Sequence, residues 1–291
     1  MAILRVFEQG FQTANRRLRM TVYLWLINFI FSVLIVTPIY FLINREYSRS
    51  LAAEQMTGGM DLLWLGDIIY KYQDIFPALV GWFLIPGILF ALLSIYLNGG
   101  IIGRIVAQNE KMGLANFFGD CGKYFFRFFR VFLISLLGYL IVFGVIFSIV
   151  SALFKIWTKN ASSEWPLIFS SNIKFLVLVL LFSIVRMFFD YVRVRLVVEN
   201  SKKAVRTTLL NFSFIGKRFF KAWALYLLVG LVTVILAVIY LAVYQPLPKL
   251  GFMLFVAFIW QQAYMFSKMW TKILFFSTEY HFIQAHKPSL P

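Results

Sequence analysis

Three charged residues interrupt an apolar stretch of the chain at positions that share one helix face. Arg186 and Asp190 are four residues apart, and Arg193 lies three residues beyond Asp190, so their side chains can pair on a helix. Charges inside an apolar helix are costly and commonly functional. The alternative is that the arginines reach a nearby polar boundary while Asp190 only locks its helix to a neighbour. Asn98, which closes another apolar stretch, is expected to cap its helix beside this group.

A second polar group lies near the C-terminus, in the sequence Trp260-Gln261-Gln262-Ala263-Tyr264. Two amides and a phenol inside an apolar helix need hydrogen-bond partners, which a neighbouring helix can supply. Asn28, in an apolar stretch near the N-terminus, has the same requirement. We therefore expect Gln261, Gln262, Tyr264 and Asn28 to form interhelical hydrogen bonds that serve assembly, and a polar path for a substrate is the alternative.

The sequence offers few residues for other chemistry. Its two histidines, His281 and His286, follow the last apolar stretch, and Cys121 is its one cysteine. It lacks a phosphate-binding glycine loop, a nucleophile elbow and a paired acidic motif. We therefore expect no enzymatic activity, no cofactor and no metal site.

The composition indicates whether the helices are surrounded by water or by lipid. Of the 291 residues, 61% are hydrophobic and 14% are charged, whereas soluble domains carry about 25% charged residues. So few charges cannot cover a water-facing surface, which excludes a soluble domain. The chain is predicted to be a multi-pass membrane protein.

Stretches of about 20 apolar residues are long enough to cross a bilayer as helices. The fold class predicted from them is all-α, a single polytopic membrane domain over residues 1–291 with six transmembrane helices. The predicted spans are 21–43, 76–97, 131–153, 175–198, 222–244 and 250–269.

The distribution of basic residues predicts the orientation. Segments 1–20, 99–130, 186–221 and 268–291 together hold 21 of the 28 basic residues and 6 of the 12 acidic ones. Short cytoplasmic loops are enriched in Lys and Arg, so these segments and both termini are predicted to be cytoplasmic. The net charge of +16 is then explained by anionic lipids as partners on that side, and nucleic acid is not expected as a partner.

The cytoplasmic segments resemble one another. Gly122-Lys123-Tyr124-Phe125-Phe126-Arg127 is similar to Gly216-Lys217-Arg218-Phe219-Phe220-Lys221, about 90 residues later. Such self-similarity indicates internal repeats. Each predicted repeat is a basic amphipathic helix followed by two spans. Apolar residues at steps of three or four predict that these helices lie in the membrane interface, and their apolar positions include Phe7 and Phe11, Leu114 and Phe118, Val205 and Leu209.

Several short motifs resemble a known family. They are Asn98-Gly99-Gly100 at the end of the second span, Asp190-Tyr191-Val192-Arg193 near the end of the fourth, and the two basic lead-ins. The chain is similar in these motifs to bacterial six-span membrane proteins of unknown function, which are related to the membrane domain attached to some glycerophosphoryl diester phosphodiesterases. The resemblance implies a helix bundle in the bacterial cytoplasmic (inner) membrane. It does not extend to the phosphodiesterase barrel, so that activity is not implied.

Two functions are compatible with these features. The first is a non-enzymatic integral membrane scaffold, or an accessory subunit that contacts a protein partner through its cytoplasmic helices or lipid-facing aromatic residues. The second is a transporter or lipid-handling protein with a polar site at Arg186, Asp190, Arg193 and Asn98. We favour the first, because catalytic signatures are absent and three basic amphipathic helices are predicted on one face; a membrane enzyme comes third, since no nucleophile with a partnered base is found.

Overall fold

The structure, a computed structural model, describes residues 2–47, 70, 76–107, 113–159, 163, 165–248 and 251–286. These residues form helices and the turns between them, and none of them forms a β-strand. The predicted all-α fold class is confirmed. In chain order the elements are α1 (Ala2–Arg16), α2 (Leu18–Tyr47), α3 (Phe76–Val106), α4 (Leu114–Tyr139), a π-helical segment (Leu140–Ile146), α5 (Phe147–Thr158), α6 (Trp165–Val198), α7 (Ala204–Gly216), α8 (Phe219–Tyr244) and α9 (Phe252–Ala285).

Five stretches among the described residues are helical, long and apolar enough to cross a membrane, which is compatible with a multi-pass membrane protein. They are Leu18–Thr37, Leu84–Val106, Leu114–Thr158, Ile168–Val198 and Phe219–Tyr244. The sixth predicted span, 250–269, begins outside the described residues and continues in α9, where Gln261, Gln262 and Lys268 reduce the hydropathy. Six spans therefore remain a prediction.

The third apolar stretch is longer than the predicted span 131–153. α4, the π-helical segment and α5 follow one another without a break from Leu114 to Thr158. At a rise of 1.5 Å per residue these 45 residues extend about 67 Å, roughly twice the thickness of a bilayer core. The predicted amphipathic helix around Leu114–Phe128 is thus the first part of this long helix and is not a separate element.

The helix that contains the second predicted span does not end where the sequence suggested. The sequence Asn98-Gly99-Gly100 was expected to close the helix, but α3 continues to Val106. A Cβ atom at Gly100 would lie 2.5 Å from Cys121 Sγ, and one at Gly103 would lie 2.7 Å from Asp120 Oδ2. These glycines permit close packing of α3 against α4, and Asn98 is inside the helix and does not cap it.

The two lead-in sequences that suggested a repeat differ in conformation. Gly122 lies inside α4, whereas Gly216 is the last residue of α7 and a turn separates it from α8. The internal repeat therefore remains a prediction.

The chain divides into two compact units. The first contains Met1–Thr13, Ile95–Val229 and Leu274–Pro291, and the second contains Ala14–Ser94 and Gly230–Ile273. In the first unit the C-terminal half of α6 is largely buried, with Met187, Tyr191, Val192 and Leu196 each fully enclosed. In the second unit Tyr240 of α8 stacks on Tyr264 of α9, with ring centroids 4.3 Å apart.

Candidate functional site

Asp190 is the centre of the charged group on α6. It is 5% exposed, and one carboxylate oxygen accepts a hydrogen bond from Arg193 Nη1. Its other oxygen lies 3.8 Å from Arg186 Nε, whose side chain is 53% exposed. The structure therefore brings together the three charged residues that the spacing predicted to share a face.

A fourth charged residue, Glu279 of α9, completes the buried polar cluster, which we define as Arg186, Asp190, Arg193 and Glu279. Glu279 is 2% exposed, and neither carboxylate oxygen has a hydrogen-bond partner among the described residues. It interacts electrostatically with Asp190, Arg193 and Arg186 of α6. Burial raises the pKa of the Glu279 carboxyl well above its usual range, and the negative charge of Asp190 raises it further.

Aromatic residues surround the cluster and limit its access to water. Tyr191 is fully buried, its ring packs 5.6 Å from that of Phe282, and its hydroxyl has no partner among the described residues. Tyr226 of α8 packs 4.8 Å from Phe275, over which the Arg186 guanidinium lies at 5.9 Å. Because a buried charge is costly unless it is paired, an ionised Glu279 is the least stabilised member of the cluster.

Sequence reasoning missed Glu279 because it treated residues 268–291 as a polar tail. In the structure α9 continues to Ala285, and its last turns are buried. The signal available in the sequence was the apolar period of this segment, in which Ile273, Phe276, Tyr280 and Ile283 recur at three- and four-residue steps.

The structure does not join Asn98 to the cluster. Asn98 forms no hydrogen bond with the charged residues of α6, and its Oδ1 atom is buried without a partner among the described residues. The charged pair closest to it along α3 is Arg104 with Asp120 of α4, at 2.6 Å, in which both side chains are largely buried.

The second predicted polar group lies in the second unit. Trp25 Nε1 of α2 donates a hydrogen bond to Gln262 Oε1 of α9 at 3.2 Å. Asn28 Nδ2 donates to its own helix at Leu24 O, 2.7 Å away, and approaches Met269 Sδ at 3.4 Å.

Tyr264 contacts its neighbour through its ring, by stacking on Tyr240, rather than through a hydroxyl hydrogen bond. Gln261 is exposed and lines a groove of about 490 Å³ between α2 and α9. We call this the α2–α9 groove. Its lining combines apolar residues such as Phe29 and Val33 with the amides of Asn28 and Gln261.

The histidines occupy the packed end of α9, not a free tail. His281 Nε2 is hydrogen-bonded to Thr13 Oγ1 of α1 at 2.9 Å, and burial lowers the pKa of His281. His286 Nδ1 lies 2.9 Å from Phe282 O. In the part of the chain that the structure describes, no group of three His, Cys, Asp or Glu side chains is arranged to hold a metal ion.

The four basic segments assigned to one side of the membrane contact one another in the first unit. Thr13 meets His281, Arg127 Nη1 donates to Asn200 Oδ1 at 2.9 Å, and the ring of Phe214 packs 6.4 Å from that of Phe282. Asn200 has a positive φ of 45° and ends α6, with Ser201 N donating to Leu196 O as in a left-handed helix C-terminus.

Comparisons of the chain with family models, with curated proteins and with solved structures find no match.

Proposed function

We propose that the chain is a non-enzymatic integral membrane scaffold or accessory subunit of a membrane complex. The observation that carries this proposal is the exposed amide of Gln261 in the α2–α9 groove. It belongs to a helix that we propose as the sixth span, so lipid tails would leave its hydrogen-bonding groups unsatisfied. A partner helix with a polar side chain would satisfy them, as helices commonly do in membranes.

The groove has the chemistry of such an interface. Gln262 is engaged by Trp25 inside the chain, whereas the neighbouring Gln261 is directed to the groove with Ser32 and Thr37. Small hydroxyl residues and amides are typical of helix–helix contacts in membranes. We therefore place the partner's transmembrane helix along α2 and α9.

Native mass spectrometry of protein extracted gently from its own membrane tests this proposal. We expect a stoichiometric protein partner with the wild type, loss of that partner in Gln261→Leu, and retention in Gln12→Leu, which alters an exposed amide of α1 outside the groove. The proposal fails if the wild type carries no protein partner, or if Gln261→Leu retains it fully.

We further propose the bacterial cytoplasmic membrane as the location, with six spans and both termini cytoplasmic. The contacts among the four basic segments support their location on the same side of the membrane. The excess of lysine and arginine in these segments supports the assignment of that side as the cytoplasmic side. Membership of the six-span family related to phosphodiesterase membrane domains is part of this proposal and rests on the short motifs alone.

A transporter or lipid-handling protein is the second candidate. It is favoured by Glu279, because a buried carboxyl without a hydrogen-bond partner is uncommon in a purely structural core. Retention of a small molecule by the extracted protein, lost in Arg186→Gln while the fold is intact, would support this function over the scaffold. A protein partner without any such molecule would contradict it.

A further inference from the structure

The first unit contains a crevice that is separate from the polar cluster and from the α2–α9 groove. It has a volume of about 280 Å³. Its walls come from α4 with the π-helical segment, from α6, from α7 and from the start of α8, and every lining residue is apolar or glycine. The lining includes Val142, Ile184, Phe188, Phe212, Gly216 and Phe219. An open apolar crevice gains nothing from water and favours a hydrocarbon chain.

The helix beside the crevice presents its apolar face outward. On α7 the exposed residues include Val205, Leu209 and Phe212, while Thr208 and Asn211 are buried. The buried polar side chains form hydrogen bonds inside the unit, since Thr208 Oγ1 donates to Ala204 O at 2.9 Å and Asn211 Nδ2 donates to Phe188 O at 3.2 Å, while Asn211 Oδ1 has no partner among the described residues. A short helix with this arrangement is suited to the boundary between hydrocarbon and headgroups.

Basic residues are adjacent in sequence to two lining residues of the crevice. Gly216 and Phe219 line it, and Lys217, Arg218 and Lys221 belong to the same sequence. Lys217 and Lys221 are exposed, and Arg218 lies over the ring of Phe214 at 5.1 Å. No acidic residue occurs between residues 200 and 278, so the positive charge of these three residues is not neutralised within their own segment.

We propose that this crevice binds one anionic diacyl phospholipid, with an acyl chain between α6 and α7 and the phosphate at Lys217 and Lys221. Basic pockets between membrane helices bind anionic headgroups in this way. The apolar walls select a hydrocarbon chain, and the two lysines select the charge of the headgroup. This inference is independent of the proposed scaffold function, because the crevice and the α2–α9 groove share no residue.

Native mass spectrometry of the full chain reconstituted in nanodiscs of equimolar phosphatidylglycerol and phosphatidylcholine tests the proposal. We expect one phosphatidylglycerol to remain bound to the wild type. Gly216→Leu should release it, because a Cβ at Gly216 meets no atom within 4 Å and a leucine there can enter the crevice. Gly119→Leu is the matched control, since Gly119 is equally open and does not line the crevice.

The double variant Lys217→Gln/Lys221→Gln tests the headgroup. Each lysine near an anionic surface contributes about fivefold to binding, so the pair should weaken phosphatidylglycerol retention by about 25-fold. Lys202→Gln/Lys203→Gln removes the same charge from exposed positions of the preceding turn and should have little effect. Size-exclusion profiles and thermal unfolding show whether each variant keeps its fold.

Three results would overturn the proposal. The crevice is not the site if Gly216→Leu retains phosphatidylglycerol like the wild type. The anionic headgroup is wrong if the wild type retains phosphatidylcholine equally well. The lysines are not the headgroup site if their double variant and the control variant lose lipid to the same extent.

Discussion

Replacement of Glu279 by glutamine probes the least stabilised charge of the buried polar cluster. The side chain is 2% exposed, and neither oxygen accepts a hydrogen bond among the described residues. The charged groups that face it are Asp190, Arg186 and Arg193 of α6, and the phenols of Tyr191 and Tyr226 are also within electrostatic range. Since Arg193 is already paired with Asp190, we expect Glu279 to be protonated in the folded protein over a wide pH range.

The sign and size of the effect follow from proton linkage. The pKa of Glu279 is raised in the folded protein above its usual value of 4.5, so the native state retains a proton that the unfolded state releases as the pH rises. The wild type therefore loses stability with rising pH, by about 1.4 kcal/mol per pH unit, from just above pH 4.5 up to the folded-state pKa. Glu279→Gln removes this dependence. The variant should therefore gain stability relative to the wild type as the pH rises above 5, for as long as the folded protein keeps this carboxyl protonated.

Thermal unfolding of both proteins in the same detergent, at half-unit steps from pH 5 to pH 8, measures this difference. Each kcal/mol of relative gain corresponds to a rise in apparent Tm of about 2–4 °C. Burial also lowers the pKa of His281, but this residue is common to both proteins and its contribution cancels in the difference. Glu8→Gln changes an exposed glutamate of α1 and serves as the control, with no pH-dependent gain.

Two results would refute this reasoning. Parallel curves for the wild type and Glu279→Gln would mean that the carboxyl has the same proton affinity in the folded and unfolded states. A wild type that becomes relatively more stable at higher pH would mean that the ionised carboxylate is paired with an arginine in the folded protein.

Three further predictions concern the rest of the first unit and the topology. Asp190→Ala should destabilise the fold by about 3–5 kcal/mol, because Arg193 loses its buried partner; chemical denaturation measures this, and a change below 1 kcal/mol would contradict the pairing. Gly103→Ala should cost about 1–3 kcal/mol, because its Cβ would lie 2.7 Å from Asp120 Oδ2, whereas Gly119→Ala meets no atom within 4 Å and should be neutral or stabilising in the same assay. Protease-cleavable tags at the two ends should both be protected in intact cells and both be cleaved in inverted vesicles, and opposite behaviour of the two tags would exclude an even number of spans.

The positions of the helices are largely predictable from hydropathy, and their ends are not. Spans predicted at 131–153 and 175–198 lie inside helical stretches that extend from Leu114 to Thr158 and from Trp165 to Val198. A window of apolar residues identifies the part of a helix that fits a bilayer, but the helix itself continues until a proline or a turn sequence ends it. Between Gly122 and Arg130 the sequence has no proline and no turn dipeptide, so α4 continues through the predicted boundary.

The candidate site was predictable only where its members share one helix. The contacts among Arg186, Asp190 and Arg193 were predictable, because residues three or four positions apart are neighbours on the surface of a helix. Glu279 reaches the same cluster from another helix, 89 residues after Asp190, and no local pattern encodes that contact. Asn98 is an example of a prediction that failed for the same reason. It was expected beside the cluster, but a contact between two helices cannot be predicted from local spacing, and the structure shows no hydrogen bond between Asn98 and the cluster.

The exposed residues of α7 also indicate the medium that surrounds the protein, and this argument does not depend on the length of any span. A helix in water hides its apolar face, but α7 exposes Val205, Leu209 and Phe212 and buries Thr207 and Asn211. Such a helix is stable when its buried polar groups form hydrogen bonds, as Thr207 Oγ1 does with Lys203 O at 3.1 Å. Its outer face must also contact an apolar medium. At 13 residues, α7 is too short to span a bilayer, so a search for spans by hydropathy does not consider it. Its exposed apolar face and buried polar face therefore support a membrane environment independently of that search. The proposed binding of an anionic lipid requires that the lysines that follow α7 lie at the level of the headgroups, and an interfacial α7 is consistent with that position.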